Sequence, residues 1–261
     1  MPAPRLLCAG EAFEDLVFVG LERLPCVGEE VRTNRFSATT GGGAVITAVA
    51  AARLGVRVAL MSALSPEAER RVRAERVAVT NLRKPGERHA VTAALSVGRE
   101  RAFVTFDGVN TGLEPRLMRA LRSVRATHVH LALYPRDTRA WTRLVTALRR
   151  RGLSVSWDFG WNDALARDEG LHALIDALDV VFLNELEAAL YAGASDVAAS
   201  LPFWRRRASA VIIKLGAEGS RACAMGQEWR AQAPKVNAVD TTGAGDAFDG
   251  GFLAARLAGA S

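Results

Sequence analysis

Val239-Asp240-Thr241-Thr242-Gly243-Ala244-Gly245-Asp246-Ala247-Phe248-Asp249-Gly250-Gly251 is the stretch on which the reading of this chain turns. Two threonines and two glycines stand just ahead of a run, Ala247 to Leu257, that predicts a helix. At a helix start four backbone N–H groups lack intrahelical partners and the dipole end is positive. The amides of Gly243, Ala244, Gly245 and Asp246 therefore suit a phosphate or another oxyanion. Asp246 runs against that charge. A carboxylate at an anion-binding helix tip needs a task, and taking a proton from an attacking hydroxyl is the evident one. Gly250 and Gly251 break a second rule, since each costs roughly 1 kcal/mol against Ala inside a helix. Such a break points to close backbone approach by something else. An ordinary turn with an Asp cap accounts for Gly-x-Gly-Asp alone equally well.

The 261 residues suit one sizeable α/β domain, residues 1–261. The formal charge of +6 invites a nucleic-acid reading. Of the 34 basic residues, however, only Lys84, Lys214 and Lys235 are lysine, and the arginines scatter over predicted helix faces such as Arg139, Arg143, Arg149 and Arg150. No stripe tracks a phosphate backbone, so an acidic small molecule such as a nucleotide is the partner expected, with no nucleic acid. Cys8, Cys26 and Cys223 have no paired spacing, which argues against a disulfide scaffold or a zinc site. Met-Pro-Ala-Pro-Arg lacks a signal-peptide layout, and charges interrupt every apolar run before membrane-spanning length. The expectation is a cytoplasmic protein with no membrane partner.

Asp240 to Phe248 as a whole resembles the C-terminal signature of the ribokinase-like (PfkB) family of sugar and nucleoside kinases. The resemblance implies a three-layer α/β/α fold with a mostly parallel central sheet and a small β lid. It implies Asp246 as catalytic base, an anion hole from Gly243, Ala244, Gly245 and Asp246, and ATP and Mg2+ as cofactors, with Thr241 and Thr242 beside the nucleotide. Val180 to Leu183 runs into Asn184-Glu185-Leu186-Glu187. A strand-end Asn capping the next helix is the plain reading. The family's Asn-x-x-Glu hallmark matches Asn184 and Glu187, and implies that Glu187 holds Mg2+ through water. Lys214-Leu215-Gly216-x-x-Gly219 resembles the nucleotide loop, with Gly216 and Gly219 beside the nucleotide and Lys214 either offering charge to phosphate or snorkelling from a strand end.

Taken in order, Leu6 to Gly10 predicts a buried first strand, and acidic residues follow it where an α/β sheet binds ligands. Asp15 matches the family aspartate that binds two sugar hydroxyls. Gly41-Gly42-Gly43 opens a predicted helix, Ala44 to Leu54, and the family's Gly-Gly pair here implies close approach of substrate to backbone. Lid strands are expected from about 11–37 and 87–108, the latter as a hairpin around Gly98-Arg99-Glu100-Arg101. The resemblance implies that this lid forms a homodimer. Thr92 and Phe106 on it are candidates to face the substrate, as is Tyr134 at the end of the Val124–Leu133 strand; sheet packing is the plain alternative for Thr92 and Phe106. His128 and His130 alternate on that strand with no third ligand in sight, which makes them structural.

Three departures stand out, the first being Ser62-Ala63-Leu64-Ser65-Pro66 where the family commonly has a Gly-Asp-Asp turn. Where the family places an Asn after the Gly pair, spacing gives Ile46, which removes a hydrogen-bonding partner and opens the way to a different or more apolar substrate. The family continues past this point with a tail that closes the adenine pocket and supplies most of a monovalent-cation site, whereas this sequence stops at Ser261. The expected activity is ATP-dependent phosphorylation of a hydroxyl, of hydroxymethyl type, on a small sugar or nucleoside. A catalytically weak sugar- or nucleotide-binding protein on the same scaffold is the alternative.

Overall fold

A computed structural model describes residues 3–98, 100–207, 209–237 and 241–259. Arg99 of the lid hairpin and Asp240 of the signature lie outside these residues. The chain opens with strands β1 (Leu6–Gly10), β2 (Phe13–Leu21) and β3 (Arg35–Gly41), then helix α1 (Gly43–Arg53), strand β4 (Val58–Ser62), helix α2 (Pro66–Ala74) and strand β5 (Ala78–Asn81). Strands β6 (Val91–Val97) and β7 (Glu100–Phe106) precede α3 (Leu113–Leu121), β8 (His128–Ala132), α4 (Thr138–Arg150) and β9 (Ser154–Asp158). Next come α5 (Asp163–Ala166), α6 (Leu171–Ala177), β10 (Val180–Asn184), α7 (Glu185–Ala192), α8 (Val197–Trp204) and β11 (Ala210–Lys214). A hairpin of β12 (Ser220–Ala224) and β13 (Gln227–Ala231) leads to the last helix, α9 (Ala244–Ala258).

The large sheet has the order β13-β12-β11-β10-β9-β8-β1-β4-β5, parallel from β5 to β11 and antiparallel only in the terminal hairpin. Its central strands are short and largely buried because both faces are covered, apolar in β1 and, up to their last residue, in β4, β10 and β11, with His and Ser in β8 and β9. Alternation sorts the side chains. Leu6 and Cys8 join Leu60, Phe182 and Leu253 in the core under α1, α2 and α9, while Leu7 and Ala9 join Trp141, Trp157 and Leu183 in the core under α3, α4 and α6 to α8. The result is the three-layer α/β/α architecture of the ribokinase-like fold. His128 and His130 are buried, hydrogen-bonded to Ser154 and Ser156, and held neutral: burial pushes them down to about 3 and about 4.

Strands β3-β2-β6-β7 form a separate four-stranded sheet. Its register decides which residues look the same way, because directly paired residues share a face and neighbours along a strand alternate. One row is Thr39, Asp15, Thr92 and Thr105; the adjacent row, on the other face, is Thr40, Glu14, Val91 and Phe106. Thr92 therefore stands beside Asp15, with its hydroxyl 3.1 Å from that of Thr105. Phe106, a candidate to face the substrate together with Thr92, lies on the sheet face opposite Thr92 and Asp15, under the Arg88 guanidinium 5.0 Å from its ring.

Helix α9 begins three residues earlier than its apolar run suggests. Gly243 takes a left-handed N-cap conformation, φ 70°, which an L side chain rarely adopts, and the first intrahelical bond runs from the Ala247 N–H to the Gly243 carbonyl. Gly250 then explains itself. A methyl there would lie 2.7 Å from the Thr47 carbonyl and 2.8 Å from Ala50 Cβ, so the glycine lets α9 pack backbone to backbone on α1. Gly251 meets nothing within 4 Å, and close approach does not account for it.

Candidate active site

The carboxyl ends of the parallel strands bring Gly10, Ala132, Asp158, Asn184 and Lys214 to one edge of the sheet, the usual ligand edge of such folds. The amino end of α9 sits over that edge. Thr241, Thr242 and Ala244 are exposed, Gly243, Gly245 and Asp246 half-buried, so the helix tip is open rather than sealed in the core. Of the four amides ahead of the first intrahelical bond, that of Ala244 donates to the Thr241 carbonyl at 3.1 Å. This narrows the expected four-amide hole: an anion at the tip is met first by the amides of Gly243, Gly245 and Asp246.

The three consecutive glycines place two carboxyls. A methyl on Gly41 would fall 1.8 Å from Asp15 Oδ2, and one on Gly43 would fall 2.9 Å from Asp246 Oδ1. A methyl on Gly42, between them, would strike the Glu11 carbonyl at 2.4 Å. The two aspartates thus flank one short backbone stretch, whose ends two residues apart are separated by at most about 7 Å. Both carboxyls titrate high. Burial pushes Asp15 up to about 6; burial and then Asp158 push Asp246 up to about 6, with Lys214 opposing. The Thr47 hydroxyl donates to the Asp246 carbonyl at 3.0 Å and fixes the backbone that carries the carboxyl.

Ile46 packs its side chain against Gly243, with Cδ1 2.8 Å from where a Cβ would be. The departure from the family Asn thus supports the helix tip. Tyr134 lies over Gly160 at the next strand end, its hydroxyl 3.2 Å from the position of a Cβ there, and is 45% exposed.

Asn184 and Glu187 make a reciprocal capping box: Asn184 Oδ1 accepts from the Glu187 N–H and a Glu187 carboxylate oxygen accepts from the Asn184 N–H, both at 2.8 Å. The plain capping role is present, and Glu187 is fixed by it with one carboxylate oxygen beyond the cap. Burial and then Asp158 push its carboxyl up to about 7. Gly216 opens the loop after β11 with free space around it, while Gly219 is required by β13, whose Ala231 carbonyl would lie 2.0 Å from a methyl.

Lys214 is neither free for phosphate nor snorkelling. Its ammonium donates to Asp158 Oδ2 at 2.7 Å and to both Asp249 oxygens at 3.2 Å, with Phe182 beneath. Asp158, Asp246 and Asp249 bring carboxylate oxygens within 4.8 Å of one another, a spacing metals use, yet the ammonium among them already supplies positive charge. Neither Asp158 nor Asp249 was singled out from the sequence as a site residue. The available signal for Asp249 was its i,i+3 spacing from Asp246, which puts both on the same side of α9.

Fold and site together describe a phosphotransferase of the ribokinase-like class. The chain matches the pfkB family carbohydrate kinases over residues 3–261 and belongs to that family. It is 26% identical to a ribokinase of Arabidopsis thaliana across 99% of this chain and 72% of that protein. It is 30% identical to an ATP-dependent ribose-1-phosphate kinase of Halopiger xanaduensis across 97% of this chain and 85% of that one. The structure of the Arabidopsis ribokinase complexed with ribose and ATP has the same fold, with a TM-score of 0.76 at 22% identity over 99% of this chain and 88% of that one. The chain is a sugar or nucleoside kinase of this family. Among the described residues no helix is long and apolar enough to cross a membrane.

Proposed function

We propose that this kinase transfers the γ-phosphoryl group of ATP to a hydroxyl, of hydroxymethyl type, on a small sugar or nucleoside, with Asp246 as general base. The observation that carries the reading is the pair of carboxyls seated at Gly41 and Gly43. One holds hydroxyls of the substrate ring, and the other stands about one sugar away, beneath an exposed, electropositive helix tip. Asp15, with Thr92 beside it on the lid sheet, orients the ring. Asp246 accepts the proton of the hydroxyl that attacks, and its position near 6 leaves it mostly ionised and still basic at neutral pH. Amides of the α9 tip receive the equatorial oxygens of the transferring group as charge accumulates there.

Glu187 fits a water-mediated hold on Mg2+, because the capping box fixes it at the sheet edge with one carboxylate oxygen to spare. The bound ion neutralises phosphate charge. Gly216 and the exposed Thr241 and Thr242 form the nucleotide side. The lid face opposite Asp15 carries Phe36, Val104 and Phe106, 56%, 68% and 47% exposed, and we read it as the homodimer surface.

Asp246→Asn tests the assignment. Its turnover falls by roughly 10²–10⁴-fold, while calorimetry gives nucleotide affinity within threefold of wild type. Undiminished turnover in that variant removes Asp246 from the mechanism.

A further inference from the structure

Three elements that carry the site meet at one buried ion-pair cluster. Asp158 ends β9, Lys214 ends β11 and Asp249 lies one turn into α9, so the cluster crosses over β10 and ties the helix to the sheet. Lys214 is 13% exposed at its side chain, Asp158 12% and Asp249 not at all. A methyl on Gly245 would sit 3.3 Å from Lys214 Nζ, so the ammonium lies directly beneath the turn whose amides face outward.

We propose that Lys214 is a positioning residue: bridging Asp158 and Asp249, it clamps the amino end of α9 to the sheet and sets where the helix-tip amides and Asp246 stand. The inference rests on the proposed roles of that tip and of Asp246. It gives Lys214 a role distinct from both charge offered to phosphate and snorkelling.

Charge supports the arrangement. Two carboxylates and one ammonium would leave a net negative charge under a phosphate seat, which works against binding. The two aspartates lie on the same ammonium, and their surroundings push them in opposite directions. Burial holds Asp249 well above the usual carboxylate range. Burial also works to raise Asp158, but the Lys214 ammonium and the hydrogen bond from Asp249 outweigh it and keep its carboxyl below the ordinary value. The raised Asp249 and the lowered Asp158 together reduce the negative charge the clamp would otherwise carry, with Asp246 and Glu187 the remaining carboxyls near it.

A simple loss of Lys214 leaves Asp158 buried and unpaired and risks the fold. The test therefore uses Lys214→Met combined with Asp158→Asn, which removes one charge of each sign. Hydrogen exchange is read at the amides of residues 247–250, which close the first turn of α9, and at α4 as a remote control. The proposal expects exchange at least tenfold faster in the first turn of α9 with α4 unchanged. It also expects kcat lowered about 100-fold, the cost of an ångström-scale misplacement, with the sugar KM within threefold. Exchange at 247–250 equal to wild type overturns the clamp whatever the activity does. Asp246→Asn, by contrast, is expected to keep slow exchange while losing turnover, so failure of the clamp and failure of the base assignment give different results.

Discussion

Gly43→Ala adds one methyl at the first residue of α1, where Ala is the better helix former by roughly 1 kcal/mol. Nothing about the backbone forbids it. The methyl arrives 2.9 Å from Asp246 Oδ1 and 3.1 Å from Ala132 Cβ, when ordinary contact begins at 3.4 Å, and Ala132 blocks its retreat on the other side. The carboxylate is the partner free to move, by about 0.5 Å, which is the margin within which catalytic groups have to be held. With an ångström of misplacement costing on the order of 10²-fold, half of that lowers kcat about tenfold, or about 1.4 kcal/mol in the barrier. The melting temperature stays within about 3 °C of wild type, because the helix gain offsets the tight contact. Gly41→Ala is the companion. Its methyl falls 1.8 Å from Asp15 Oδ2, so Asp15 has to swing away, and the loss appears as a sugar KM raised at least tenfold. Steady-state kinetics with saturating ATP, beside thermal melts, separate the two. Gly43→Ala with unchanged kcat, or with its loss confined to KM, would refute the reasoning that Asp246 works from above Gly43.

Acid weakens the enzyme and strengthens the fold. Asp246 has to be ionised to act, so kcat/KM rises through a limb near pH 6 and is about tenfold below its plateau at pH 5; a limb centred near the ordinary carboxylate value would remove the burial argument. For stability the sign is opposite: carboxyls raised in the folded state bind more protons there than when unfolded, so their contribution is lost as pH climbs from about 4 through 6. The melting temperature of the free enzyme should fall between pH 5 and 7, and fall less in Asp15→Asn; equal slopes would contradict the shift assigned to Asp15. Val104→Glu places a charge on the exposed apolar lid face proposed as the dimer surface; sedimentation is expected to give a dimer for the wild type and a monomer for the variant, and a wild-type monomer or a variant dimer removes that surface.

The alternation of apolar strands with amphipathic helices made the layered sheet legible in the sequence, because each central strand is a closed run such as Val180 to Leu183. Strand β5, Ala78–Asn81, escaped because an edge strand half in solvent carries no such run. The helix tip was visible in Gly243 to Asp246, but not that Thr241 occupies one of its amides, since turn hydrogen bonds depend on dihedrals. Phe106 shows the limit of reading strands singly. Its face is set by pairing across four strands, and a shift of one residue reverses it. Lys214 stays, on sequence alone, between offering charge to phosphate and snorkelling, because neither Asp158 across the sheet nor Asp249 on a distant helix can be placed beside it from the sequence.

The placement of two carboxyls along Gly41-Gly42-Gly43 has a consequence for how such an enzyme diversifies. On the roles proposed above, the gap between the ring-holding Asp15 and the base Asp246 is measured in peptide units of a single chain, which no substitution lengthens. Which oxygen receives the phosphoryl group is therefore inherited with the main chain. The same proposal leaves the identity of the acceptor to exchangeable side chains such as Thr92, and so free to drift from one descendant to the next.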